Sequence, residues 1–227
     1  DENDMTRIGR SLEGKTVVIV SSCSGEYTRN SRAMRTFLVA RAARDNGASR
    51  VVLVEPDLFY SAQDRGPRPE HGRVEFTRTA ADYKKFDGQP FSAALYAELL
   101  KTSGVDDVLT VHNHSTSVQE LFMRQFRGNF FNISPAQLYA EYLANHEIFL
   151  HPEHQKGFVL CAPDKGAKHL ASEVYTYLDA HAKHMLLPMQ PSLLLMDKER
   201  SGERKVVIKA HQDSPTRLED ISGREVV

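Results

Sequence analysis

"FVLCAPDKGAKHLASEVYTYL", residues 158 to 178, decides the fold. It opens as an unbroken apolar run, breaks at Pro163-Asp164-Lys165-Gly166, and resumes with Leu170, Val174, Tyr177 and Leu178 on one helical stripe. A continuous apolar run suits a strand covered on both faces, and the stripe suits a helix packed on a sheet. Strand, turn and helix in this order make one unit of a parallel sheet.

The same unit recurs outward in both directions. Short apolar runs stand at 16–20 ("TVVIV"), 51–54 ("VVLV"), 108–111 ("VLTV") and 192–196 ("SLLLM"). Between them the spacing predicts a helix capped by Ser31, with Met34, Phe37, Leu38 and Ala42 facing the core and Gly47 at its end. Further helices are expected over about 92–102 and 116–126, and from Ser134-Pro135, where proline takes its preferred first-turn place. Steady alternation of strand and helix predicts a doubly wound α/β architecture with more than one sheet. A helix and the polar "HPEHQKG" separate the third run from the fourth, so a boundary is expected between about 134 and 157, and we divide the chain into domains 1–145 and 146–227. From "SLLLMDK" to "KVVIKA" the pattern changes to two strands joined by the charged "ERSGER", a hairpin or flap.

Bulk properties exclude several function classes. The 227 residues are 41% hydrophobic and 26% charged, with a formal net charge of -1, so no electrostatic case exists for nucleic acid or an acidic membrane surface. Any anionic ligand must be held by local groups. The longest apolar runs fall far below the roughly 18 residues that cross a bilayer. Cys23 and Cys161 are too few for a disulfide framework, which predicts a reducing, cytoplasmic setting. The chain opens on "DENDM" and ends on the strand-like "GREVV", and we read it as part of a longer protein.

Ligands of such folds collect beyond the carboxyl ends of the strands. The residues just past each apolar run are therefore the candidates: Ser21-Ser22, Glu55-Pro56-Asp57, His112-Asn113-His114, Pro163-Asp164-Lys165-Gly166 and Asp197-Lys198. Asp164 with Gly166 suits an anion on a helix N-terminus, Mg2+ or sugar hydroxyls; equally, Asp164 suits a plain helix cap and Lys165 a solvated charge. His112 and His114 fall on the same side if the strand continues through them, as a metal pair or a phosphate contact. Lys198 and Arg200 open a charged stretch that suits either a solvated tip or a basic arm closing over a polyphosphate. "DLFYSAQDRGPRP", residues 57 to 69, suits a stacking platform for a base or an ordinary ordered loop.

The order of these pieces resembles the ribose-phosphate diphosphokinase, or phosphoribosyl pyrophosphate synthetase, family over nearly the whole chain. That family's Tyr-Ala-Arg-Gln-Asp-Arg loop is similar to Tyr60 to Arg65, and its Gly-Glu-Pro-Ile-Thr-Ala-Lys stretch to Gly88 to Ala94. Its Val-Leu-Thr-Val-Asp-Leu-His is similar to Val108 to His114, its Ser-Pro-Asp-x-Gly turn to Ala162 to Gly166, and its flap Lys-x-Arg to Lys198 and Arg200. The resemblance implies two phosphoribosyltransferase-type, Rossmann-like α/β domains with mainly parallel sheets and a hairpin flap, the second domain incomplete in this chain. It implies Mg2+-dependent transfer of diphosphate from ATP to O1 of ribose 5-phosphate, in a cytoplasmic homo-oligomer of two to six subunits.

It also implies residue roles. Gln63, Asp64 and Arg65 would bind ATP; Asp164, Lys165 and Gly166 would bind ribose 5-phosphate; His114, Asp164 and His112 would meet the metal; Lys198, Arg200 and His114 would be catalytic. Two positions depart from the pattern. Ala62 replaces the loop's arginine, leaving Arg65 or Arg68 to take over its nucleotide contact, and His112 replaces an aspartate where a hard oxygen suits Mg2+ better. These departures favour an alternative, a non-catalytic homologue that binds nucleotide or co-assembles with an active synthetase. The ribose-5-phosphate loop of the resemblance would begin just after Val227.

Overall fold

The structure, a computed structural model, describes residues 7–22, 27–73, 77–145, 157–185, 191–200 and 206–227. The chain divides into two compact units, Asp1–Ile133 and Ser134–Val227. Each is an α/β assembly on its own sheet.

In the first unit, strands β1 (Thr16–Val20), β2 (Arg50–Val54), β3 (Asp107–Val111) and β4 (Phe130–Ile133) lie in chain order and are all parallel. Parallel neighbours need crossover helices. These are α1 (Arg29–Asp45), the short α2 (Ala80–Lys84) with α3 (Ser92–Ser103), and α4 (Thr116–Gln125). One sheet face, with Val51, Leu53, Val108 and Phe130, closes over Ala40, Ala43, Ala97, Leu100 and Phe122. β4 is absent from the sequence reading because Asn132 interrupts its short "FFNI" run.

Helix α1 corrects two expectations. Its cap is Thr28, whose hydroxyl accepts from the Ser31 amide at 3.2 Å, one residue before the first helical position Arg29. Its buried face is Ala33, Thr36, Ala40 and Ala43, while Met34 and Leu38 stay exposed. Small side chains let the helix lie close to the sheet, so Met34 and Leu38 of the expected stripe are displaced toward solvent, while Phe37 packs against the core, 5.8 Å from the Tyr96 ring.

The second sheet face corrects another. Continuous runs predict strands buried on both sides, yet Val18 and Val20 on edge strand β1 are 57% and 71% exposed, and Phe131 and Ile133 on edge strand β4 are exposed as well. Only the inner strands β2 and β3 approach full cover.

The second unit contains α5 (Ala136–Asn145), β5 (Phe158–Ala162), α6 (Lys168–His184), β6 (Ser192–Arg200), β7 (Val206–Ala210) and β8 (Glu225–Val226). Its sheet order is β7-β6-β5-β8 and it is mixed: β5 pairs in parallel with β6 and β8, whereas β6 and β7 are antiparallel. Ala136, Ala140 and Ala144 recur every four residues along α5 and join Phe158, Leu160, Val174, Leu178, Leu193 and Leu195 in one core. α5 therefore packs with the second unit, although it precedes the expected division at 145/146.

Phe122 is fully buried and stacks on Phe126 and Phe130, with ring centroids 5.8 and 5.2 Å away. Phe122→Ala is expected to destabilise the first unit by about 3–5 kcal/mol, read as a fall in the urea midpoint with an unchanged slope.

Candidate functional site

The first unit gathers three separate chain segments beyond the carboxyl ends of β2 and β3. The loop after β2 carries Gln63, Asp64 and Arg65. The Ser92 hydroxyl at the start of α3 donates to Gln63 Oε1 at 2.6 Å, and Gln63 Nε2 donates to Gln89 Oε1 at 3.4 Å. Asp64 reaches the other way. Its Oδ2 accepts from the Ser115 hydroxyl at 2.8 Å, and its main-chain oxygen accepts from the Ser117 hydroxyl at 2.8 Å.

Ser115 is at the same time the cap of α4, accepting from the Val118 amide at 3.3 Å. Ser117 Oγ also accepts from the Arg73 amide at 3.0 Å, so both ends of the 64–73 loop meet at one hydroxyl. The approach is close enough to require glycine at position 72: its φ is +90°, and a Cβ there would lie 2.2 Å from the Asp64 carbonyl oxygen. Arg78 completes the frame by donating to the Gly66 and His71 carbonyls.

Several side chains that looked available are already engaged. Phe59 is fully buried, and Tyr60 donates its hydroxyl to Asn30 Oδ1 while its ring lies 5.1 Å from Tyr96, so neither is an open stacking platform. Arg65 pairs with Asp64 Oδ1 at 3.2 Å and lies over the Phe86 ring. Ala62 and Arg68 are exposed.

β3 ends at Val111, so the premise that a strand continues through both histidines is not met. His112 turns into the left-handed region at φ +48° while its amide still donates to the Ile133 carbonyl. Buried Asn113 then organises the turn: its Oδ1 accepts the Ser115 amide, and its carbonyl accepts from Gln119 Nε2 and Asn132 Nδ2. His114 stands exposed beside this turn.

In the second unit the β5–α6 turn is closed by Asp164, whose Oδ1 accepts from the Gly166 and Ala167 amides at 2.9 and 3.2 Å. Asp164 thus closes an Asx-type turn ahead of α6 rather than capping it: the cap is Ala167, without a side-chain hydrogen bond. Gly166 keeps a negative φ; a Cβ there would sit 3.2 Å from Asp164 Oδ1. Lys165 is exposed. Lys198 is exposed on β6, opposite Ile208 of β7, and the backbone of Arg200 pairs with Val206. The loop residues 201–205 fall outside the described residues.

The expected metal set of His112, His114 and Asp164 offers one carboxylate and two imidazoles. Among the described residues no group of three or more His, Cys, Asp or Glu could hold a metal ion. Mg2+ takes oxygen ligands in octahedral geometry, whereas two of these three residues are imidazoles. The sequence reading missed Ser92, Ser115, Ser117 and Arg78, because hydroxyls and arginines that serve a loop carry no periodic signal.

Residues 1–80 match the family model described as the N-terminal domain of ribose phosphate pyrophosphokinase. The chain is 28% identical over 209 residues to a ribose-phosphate pyrophosphokinase of Rhizobium meliloti, covering 91% of this chain and 54% of that protein. It is 28% identical over 227 residues to one of Methanopyrus kandleri, covering 100% of this chain and 61% of that protein. The crystal structure of phosphoribosylpyrophosphate synthetase from Mycobacterium smegmatis superposes with a TM-score of 0.61 at 22% identity, over 91% of this chain and 54% of that one. The chain thus spans about half the length of the curated relatives it matches.

Ser115→Ala removes a helix cap and the hydroxyl that holds Asp64 Oδ2. A loss of about 2 kcal/mol is expected from denaturant unfolding, with faster amide exchange over residues 63–66.

Proposed function

We propose that the chain, similar to the ribose-phosphate pyrophosphokinases, serves the transfer of diphosphate from ATP to O1 of ribose 5-phosphate, giving phosphoribosyl pyrophosphate and AMP. O1 attacks the β-phosphorus, and the bond from that phosphorus to the oxygen it shares with the α-phosphate breaks. Such a transfer needs little covalent help from protein. Positioning, and positive charge beside the developing oxyanions, supply most of the rate.

The observation that carries this reading is the division of labour along β6. Leu193 to Leu195 are buried, and residues 192–195 pair with β5 inside the parallel sheet. Residues 196–200 pair only with β7, in an antiparallel arm on which Lys198 is exposed. A cation on a two-stranded arm rooted in a buried strand is placed as a flap over a polyphosphate would need it. In this reading Lys198, with Arg200, neutralises charge on the transferring β-phosphate. His114 lies by the triphosphate, and Asp164, Lys165 and Gly166 meet the ribose 5-phosphate. Gln63 and Asp64 shape the nucleotide segment. Asp164 would be the protein's oxygen donor to a Mg2+ that neutralises charge on the triphosphate. The protein acts in the cytoplasm as a homo-oligomer.

The exposed Ala62 and the left-handed His112 favour a second reading, a nucleotide-binding homologue that regulates an active synthetase. Incubating the full-length protein with ATP, Mg2+ and ribose 5-phosphate separates the two. AMP and phosphoribosyl pyrophosphate should appear together; folded, ATP-binding protein that forms neither supports the regulatory reading.

If the enzyme is active, Lys198→Ala should lower turnover at least about 100-fold, the scale of one transition-state charge, with ATP binding little changed. Arg65 is engaged by Asp64, so exposed Arg68 is the cation left to replace the missing loop arginine. Arg68→Ala should weaken ATP binding by on the order of tenfold in a calorimetric titration, the scale of one charge-assisted hydrogen bond.

A further inference from the structure

Among the described residues of the first unit, Glu55 is the ionisable residue buried most completely, with no exposed surface at the carboxyl end of β2. Its Oε2 accepts from the Phe59 amide at 3.0 Å, closing the chain back on itself over four residues. The Tyr96 hydroxyl of α3 lies 2.9 and 3.0 Å from its two oxygens. Ser21, at the end of β1, also reaches it, and Ser21 is in turn held by Thr36 of α1. These partners are an amide, a phenol and a hydroxyl. None is a cation, and the neighbouring charge, Asp57, is of the same sign and is paired with Arg29 at 2.5 Å. The Tyr60 ring packs against the Tyr96 ring, centroids 5.1 Å apart.

A carboxylate so placed has left water without gaining a counter-charge. A neutral carboxyl suits every contact: one oxygen accepts the Phe59 amide while the protonated one donates to the phenol or serine oxygen. Solvent is close at hand, because the next residues, Pro56 and Asp57, are exposed. The buried acid can reach water if its own segment swings out, carrying the core residues Leu58 and Phe59 with it.

We propose that Glu55 is a proton-operated latch on the segment 56–65, shut while its carboxyl is neutral and released when the charged group is drawn out to water. The direction comes from linkage. Burial pushes Glu55 up to about 7, outweighing the donors from Phe59, Tyr96 and Ser21 that favour the charged form. The shut form holds its proton more tightly than a hydrated carboxyl would. Its stability is therefore greatest at low pH, falls as pH rises through the interval up to about 7, and levels off above. The segment governed by the latch is the one that carries Gln63, Asp64 and Arg65. Whether nucleotide binding tracks the latch rests on the function proposed above; the latch itself does not.

Hydrogen–deuterium exchange of the full chain between about pH 5 and pH 8, corrected for intrinsic exchange, tests it. Protection of peptides covering 56–65 should fall with rising pH by at least about tenfold, the equivalent of one unit of pKa between shut and open forms. Protection across α4 should stay level. Glu55→Gln should remain protected and lose the pH dependence. If that variant does not fold, Tyr96→Phe keeps the ring but removes a donor to the charged form, so protection should go on falling to higher pH. Protection of 56–65 that ignores pH in the unaltered protein, or a slope that survives in Glu55→Gln, overturns the latch. Binding of Mg2+-ATP, compared between the unaltered protein and Glu55→Gln across the same range, separates the two ideas. If exchange tracks pH and the affinity difference does not, the latch stands and the nucleotide role of Gln63–Arg65 falls.

Discussion

The carboxylate of Asp64, joined to Ser115, ties the loop after β2 to the helix after β3, and the geometry of the first unit's strand ends depends on that tie. A parallel sheet delivers its loops to one end in separate pieces, since each strand is followed by its own crossover. Nothing in the ladder itself fixes one loop against the next. Asp64 and the two serines, 115 and 117, do so with side-chain hydrogen bonds, and Gly72 makes room for the chain to return. The opposite end of the sheet is secured in a similar way by Arg44. It donates to the carbonyls of Gly104, Ala48 and Ser49 and pairs with Asp106, gathering the ends of α1 and α3 and the starts of β2 and β3.

The strands were legible because burial on the sheet's core face demands apolar residues at fixed places, and β-branched runs supply them. The β6–β7 hairpin was legible for a related reason: the apolar pattern gives way to charge at Asp197, where the strand leaves the parallel sheet. What the runs could not reveal was exposure at the edges. Val20 and Ile133 look like core residues by type, and only their places on β1 and β4 leave them half open. The face of α1 was misread by the same logic in reverse. Alanine carries little hydrophobic signal, yet Ala33, Ala40 and Ala43 are the residues that touch the sheet.

Site residues divide along a similar line. Gln63, Asp64 and His114 could be picked out because polar groups gather beyond strand ends, and the ordered motifs gave them roles. Their surroundings could not be. The two histidines would share a side only if the strand ran on through them, but His112 turns left-handed and buried Asn113 directs the next turn. Glu55 was visible as one of several polar residues after β2. Its burial against Tyr96 depends on α3 crossing beside it, a contact spanning 41 positions that no local pattern records.

The engaged partners also constrain how the first unit could meet a polyphosphate. Arg65 is drawn to Asp64 and the Phe86 ring, Arg73 to Glu120 at 2.5 Å, and Arg78 to two loop carbonyls and the Tyr83 ring. Each of these guanidiniums stabilises the loop, and each would have to surrender a partner to hold phosphate. The loop is therefore built as a frame whose arginines already hold partners of their own, Arg73 at the surface and Arg65 and Arg78 half-buried. Arg68, at the loop's rim, is exposed. Position 62 is exposed, and the frame is held by Asp64, Ser115, Ser117 and Arg78 without a side-chain hydrogen bond from Ala62.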